Sequence, residues 1–175
     1  MSAIRSLKNG TPALGKGVFV DASAVVSGQV TLGDEVSIWP QVSIRGDLLA
    51  IKIGARSNIQ DGSVLHTTQK SAHAPEGFPL NLGEDVTIGH HVILHGCTIG
   101  SRCLIGMGSI VLDGVVIQDD VFLGAGSLVP PGKILESGFL WLGNPVKKIR
   151  PLSEEERVFL SVSAQNYVRL KALHL

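Results

Sequence analysis

The sequence predicts an all-β protein wound as a parallel β-helix and closed by one C-terminal α-helix, and three observations carry that expectation. Aliphatic residues recur at every sixth position along most of the 175-residue chain, and glycine often follows the aliphatic position. Aromatic residues make up only 5% of the chain, beside a hydrophobic content of 44% and 21 glycines. A helical bundle has little use for so much glycine, whereas small aliphatic side chains stacked behind tight turns require it.

The recurrence runs through Val20, Val26, Leu32, Ile38 and Ile44, then Ile53, Ile59 and Leu65, then Leu82, Ile88 and Leu94. It closes with Ile99, Ile105, Val111, Ile117, Leu123 and Val129. Four positions after each anchor stand mostly small or aliphatic residues such as Ala24, Val36, Ser57, Val92 and Cys103. Successive strand residues alternate faces, so an anchor and this partner both point inward from a short strand. Each hexad therefore reads as one side of a parallel β-helix, and short fixed-period self-similarity is the mark of such solenoids. The pattern resembles the hexapeptide-repeat family from about Val18 to Val129, which implies three-sided coils of left-handed winding.

The period slips by three extra residues between Ile44 and Ile53 and by one missing between Leu94 and Ile99. The large insertion, Thr67 to Asn81, mixes proline, glycine and polar residues, and is expected to loop out as a long functional or mobile excursion. Beyond the repeats, Gly143-Asn144-Pro145 reads as a turn, and Ser153 with Glu156 forms a capping box. The helix that follows carries Val158, Phe159, Val162, Val168, Leu170 and Leu173, an apolar face expected to pack along the coil or a neighbour. Residues 1–150 are thus assigned to the β-helix with its inserted loop 67–81, and residues 151–175 to a helix packed on it.

Length suits one such domain. With 15 basic and 15 acidic residues there is no cationic surplus for nucleic acid, and no apolar run approaches the roughly 20 residues of a membrane span. The start, MSAIRSLKNG, has no apolar leader core, and a cytoplasmic location is expected. Cys97 and Cys103 lie within aliphatic segments and read as buried hydrophobes.

On a three-sided coil every third anchor returns to the same side one rung, about 4.8 Å, higher. Leu65 and Leu94 stand three anchors apart, so His66 and His95 stack on one side of adjacent coils, with Arg45 one coil below. His90 follows Ile88 by two residues and falls near a corner of another side, with Asp61 under it and Gln60 adjacent. One chain does not easily converge all three histidines, but a homotrimer about a threefold axis would bring one subunit's corner against another's side. A lone histidine on a strand is usually a surface residue. Three in matched register, flanked by Arg45, Asp61 and Gln60, point to a metal site, whereas His73, His91 and His174 find no such partners.

Three neutral imidazoles leave a metal one open position, where Zn²⁺ lowers the pKa of bound water to about 7. Fe²⁺ and Co²⁺ suit the same donors. A site of this kind needs no nucleotide pocket, and its natural electrophile is carbon dioxide or a compact carbonyl compound.

Arg45-Gly46-Asp47, Asn58 through Ser63, His66, and Gly89-His90 through His95-Gly96 together resemble the motif set of the gamma-class carbonic anhydrases. The resemblance implies reversible hydration of carbon dioxide to bicarbonate by metal-bound hydroxide at subunit interfaces, with His66 and His95 from one subunit and His90 from its neighbour. It implies that Gln60 orients the metal-bound water and that Arg45 pairs with Asp47 and the adjoining Asp61. A salt bridge that only holds the trimer together would explain Arg45 and Asp61 equally. Active members carry a glutamate after the Arg-Gly-Asp stretch and acids behind the first histidine, where this chain has Leu48 and Thr67, Thr68, Gln69 and Lys70. His73 or Glu76 could replace them in exporting the proton, and Tyr167 is a further candidate for approaching the metal. Two alternatives share the repeats: a metal-stabilised trimeric scaffold of low activity, and a hexapeptide acyltransferase using a single basic histidine.

Overall fold

Residues 3–174 are described by a computed structural model, in which the six-residue period becomes a left-handed stack of three-sided coils. Anchors sit on anchors along each side. The first side pairs Val26, Ile44, Leu65, Leu94, Val111 and Val129 in parallel register. The second pairs Leu32, Ile53, Leu82, Ile99, Ile117 and Leu135, and the third runs from Val20 through Ile38, Ile59, Ile88, Ile105 and Leu123 to Trp141. Nearly all of these side chains are buried in one continuous core. Each buried Leu or Ile contributes about 1.5–3 kcal/mol by leaving water.

The coils extend past both ends of the expected range. Leu135 and Trp141 keep the period beyond Val129, and the short strands Ile4–Arg5 and Ala13–Leu14 pair with Val25–Leu32 below it. Leu14 keeps the six-residue period below Val20, whereas Ile4 stands ten residues before Leu14, so no period marks the first strand in the sequence.

At the slip between Ile44 and Ile53 the chain stays extended as one strand, Ser43–Ile53, which turns from the first side onto the second. Its extra residues carry Asp47 outward toward the histidines of the first side. The insertion folds back on itself through bridges between Thr68 and Phe78 and between Ser71 and Ala74. It ends earlier than expected, because Leu80 is drawn into the core and strand Leu80–Leu82 has already resumed the coil.

At the top of the stack Phe139–Leu142 pairs with an antiparallel strand, Lys147–Pro151. Between them the turn covers the first side's last strand, with the Leu128 N–H donating to the Gly143 carbonyl at 3.0 Å and the Val146 N–H to the Leu128 carbonyl at 2.8 Å.

Helix α1 spans Glu154–Leu170, with Ser153 as N-cap and both halves of the capping box formed. It descends the third side. Arg157 donates to the Gly138 carbonyl at 3.4 Å near the top, Ser163 Oγ meets Thr87 Oγ1 at 3.1 Å midway, and Lys171 pairs with Glu35 at 2.6 Å near the bottom. The expected apolar face is not the one that packs on the chain's own coil, which leaves it free for a neighbour. Leu160, Ser163 and Ala164 are buried, whereas Val158, Phe159, Val162, Leu170 and Leu173 are exposed. Short side chains at Ser163 and Ala164 let the helix axis approach the flat sheet closely, which bulkier residues would prevent. Among the described residues no helix is long and apolar enough to cross a membrane.

Candidate metal centre

His66 and His95 end the strands Val64–His66 and Ile93–His95 and are direct register partners. Each follows an inward-pointing anchor, so alternation turns both rings out from the first side. His66 Nδ1 and His95 Nε2 lie 3.2 Å apart, with ring centroids 5.2 Å apart. Two nitrogens bound to one tetrahedral zinc ion at about 2.0–2.1 Å are separated by about 3.3 Å, so the pair already has the spacing of shared ligands.

A carboxylate backs each ring. Asp47 Oδ1 lies 2.9 Å from His66 Nε2, and Asp113 Oδ1 lies 2.7 Å from His95 Nδ1. Carboxylates accept, so the protons belong on these outer nitrogens, and both inner nitrogens then present lone pairs to each other across 3.2 Å. That contact is repulsive unless a proton or a metal ion lies between them. The donor set therefore fits a metal ion.

For Asp47, partial burial raises its pKa, but hydrogen bonds from Arg45 and His66 and the charge of Arg45 outweigh it and leave the carboxyl below its ordinary range. Arg45 closes on Asp47 within its own chain. Above the rings, Thr68 Oγ1 donates to Asp113 Oδ2 at 2.8 Å and stands 3.4 Å from His95 Nδ1.

His90 lies elsewhere, in the turn that leaves strand Thr87–Ile88 on the third side, with its Nδ1 3.0 Å from Asp61 Oδ2. Gln60 is buried on that side and donates to Asn58 Oδ1 at 3.1 Å; Asn58 in turn donates to Thr87 Oγ1 at 3.1 Å. Tyr167 comes down from α1 with its ring edge on Trp39 at 5.5 Å, and burial together with the charge of Asp61 raises its hydroxyl pKa. Gln60 and Tyr167 share a cavity of about 600 Å³ between α1 and the third side, lined also by Met107, Phe122 and Phe159.

The candidate residues thus fall into two groups. Arg45, His66 and His95 stand on the first side, whereas Gln60, Asp61, His90 and Tyr167 stand on or beside the third. Among the described residues no three or more His, Cys, Asp or Glu side chains of one chain are grouped to hold a metal ion. Of the residues proposed for proton export, Glu76 is exposed and paired with Lys70 at 2.8 Å, and His73 is exposed in the same loop. Cys97 and Cys103 are buried, and burial pushes both thiols up to about 12.

Sequence reasoning missed Asp113 and Thr68. Counting anchors sets Leu112 beside His95, but the strand stops at Val111 and the chain turns, which brings Asp113 over the ring. Thr68 sits in the insertion, where no period locates it.

Residues 96–131 match the bacterial transferase hexapeptide (six repeats) family. The chain is 59% identical over 172 residues to protein YrdA of Escherichia coli, covering 98% of this chain and 94% of that protein. It is 43% identical over 149 residues to a carbonic anhydrase of Geobacillus kaustophilus, covering 85% of this chain and 78% of the other. Gamma carbonic anhydrase 2 of Arabidopsis thaliana, a mitochondrial protein, is 40% identical over 94% of this chain, which spans 59% of that protein's length. Among solved structures, a hexapeptide transferase family protein from Anaplasma phagocytophilum superposes with a TM-score of 0.89 at 39% identity, covering 98% of both chains. With identities of this order over most of the chain, it belongs to the gamma-class carbonic anhydrase-like family of hexapeptide-repeat proteins.

Proposed function

We propose that this protein is a metal-dependent hydratase, a carbonic anhydrase-like lyase interconverting carbon dioxide and bicarbonate, and that it works as a cytoplasmic homotrimer. The observation that carries the reading is the His66–His95 pair, with inner nitrogens 3.2 Å apart and a carboxylate behind each ring. Two imidazoles do not complete a zinc site, and three protein ligands with one open position are the usual catalytic set. The third would be the partner subunit's His90, since that residue leaves a corner of the coil, half exposed and already oriented by Asp61. A zinc ion held there supplies a Lewis acid that lowers the pKa of a water to about 7, the value general for carbonic anhydrases.

The chain's own groups divide the remaining work. Asp47 and Asp113 hold the two imidazoles, and Arg45 neutralises Asp47. Gln60, fixed by Asn58, stands beside Asp61 and His90 and so would enter the site with the neighbour's histidine to orient the attacking oxygen. Tyr167 borders the same group. Iron or cobalt would fit the same imidazoles.

Acyl transfer is the competing reading, and the Anaplasma protein is named a transferase. It asks for one imidazole with a nitrogen free to act as base. At the His66–His95 pair each nitrogen already faces another ring or a carboxylate, which favours a metal over a free base there.

Zinc content and carbon dioxide hydration measured on one anaerobically prepared sample test the proposal. One metal per chain with hydration lost in His66→Ala, His90→Ala and His95→Ala is expected. A zinc-loaded trimer without hydration would leave the scaffold reading in its place.

A further inference from the structure

The two imidazoles of the pair are held differently. His66 leans on Asp47, a residue already engaged by Arg45 and belonging to the Arg-Gly-Asp stretch. His95 leans on Asp113, which lies one coil higher, outside every motif that the sequence singles out, and has no cationic side chain among its hydrogen-bond partners. Its second oxygen accepts from Thr68 Oγ1 at 2.8 Å, and that hydroxyl stands 3.4 Å from His95 Nδ1, so the inserted loop is tied to the His95 half of the pair.

Two glycines make room for this arrangement. Gly96 adopts φ +53°, and a Cβ there would lie 2.4 Å from Asp113 Oδ1 and 2.6 Å from Phe78 Cβ. The Gly114 N–H donates to the Gly96 carbonyl at 2.8 Å, which sets the turn bearing Asp113 directly on the turn that follows His95. The carboxylate is therefore positioned by backbone on one side and by the Thr68 hydroxyl on the other.

An imidazole with no fixed partner divides its proton between two nitrogens, and only one tautomer offers Nε2 as a ligand. A carboxylate at 2.7 Å from Nδ1 selects that tautomer and locks the ring plane. We propose that Asp113, clamped by Thr68, is the positioning residue that holds His95 with its proton on Nδ1 and its Nε2 presented to the metal before metal arrives. The proposal rests on the metal-dependent reading above, and it gives the insertion a role: through Thr68 the loop braces the ligand that follows it on the next coil.

Two measurements on the assembled protein separate this role from a merely structural one. The first is the ¹⁵N chemical-shift signature of the His95 ring in metal-free protein; the second is zinc affinity by competition with a chelator. Wild type should show His95 as the Nδ1–H tautomer alone. Asp113→Ala should show a tautomer mixture and bind zinc about 10–100-fold more weakly. Thr68→Val, which keeps the shape and removes only the hydroxyl, should move both readouts the same way by less. It also keeps the test intact if Asp113→Ala does not fold.

An unmixed Nδ1–H tautomer together with zinc affinity unchanged within twofold, in a folded Asp113→Ala or in Thr68→Val, would overturn the assignment while leaving the metal site standing. Wild type that binds no zinc would instead overturn the metal reading, and with it the part of Asp113 in ligation, whatever the tautomer shows.

Discussion

Gly96 shows how narrowly single residues set this site. Glycine costs nothing at its positive φ, and the missing Cβ is what lets the Asp113 carboxylate and the Phe78 side chain close on the turn that follows His95. Gly96→Ala should therefore lower zinc affinity in the same direction as Asp113→Ala, while circular dichroism still reports an intact β-helix. A second residue-scale expectation concerns proton export. Leu48 and the Thr67–Lys70 stretch supply no carboxylate, and Glu76 is occupied by Lys70, whose hydrogen bond and charge hold its pKa down. Hydration should then be limited by proton removal at low buffer and rise severalfold as imidazole buffer is added; a rate indifferent to buffer would show that a side chain exports the proton unaided. A third concerns the cysteines: with their thiols pushed up to about 12 by burial, Cys97 and Cys103 should resist thiol reagents at pH 8 until the chain unfolds. At this scale the sequence discloses what its period can index. His66, His95 and Arg45 are found by counting anchors, and so is Asp61 beneath His90. Asp113 and Thr68 are not, because one lies past the end of a strand and the other in a segment without a repeat.

The elements divide in the same way. The coils were legible since a buried anchor at every sixth position has few other uses, and α1 was legible at its start, where Ser153 and Glu156 form their reciprocal cap. The packing face of α1 was not. Hydropathy alone selects Val158, Phe159 and Val162, but the third side offers Thr87 to a hydroxyl, so Ser163 faces it with Leu160 and Ala164 buried beside it. Leu160→Ala should accordingly cost about 2–5 kcal/mol in urea unfolding, and Val158→Ser should stay within about 0.5 kcal/mol. A reversed order of the two would mean that the helix packs on the other face. The cap also carries a pH dependence. Hydrogen bonds from Arg150 and from the Ser153 N–H hold Glu156 down at about 2, below the ordinary 4.5. A depressed carboxyl contributes stability above its unfolded pKa and loses it as pH falls through the folded value. The first turn of α1 should thus lose amide protection between pH 4.5 and 2, and Glu156→Gln should remove that dependence.

At the scale of the whole molecule, the separation of His90 from the His66–His95 pair makes the assembly itself testable. His66→Ala and His90→Ala homotrimers should each hold no metal. Unfolded together and refolded, any mixed ring contains one interface where a chain with intact His66 and His95 meets a neighbour with intact His90. Metal should return at one site in three, whereas ligands drawn from a single chain could never be restored by mixing these variants. The reversed strand at the top of the stack has a different bearing. Repeating parallel coils are natural templates, for a last coil with open edges invites another copy to add to it and begin a fibre. Here the third side ends on Lys147–Pro151, which runs antiparallel, is exposed throughout, and carries Lys147, Lys148, Arg150 and a proline that cannot donate, while the preceding turn covers the first side. A second molecule approaching these edges meets the wrong strand direction and side chains already engaged, Lys148 with Glu136 and Arg150 with Glu156, so the column that carries the histidine pair does not also seed its own polymerisation.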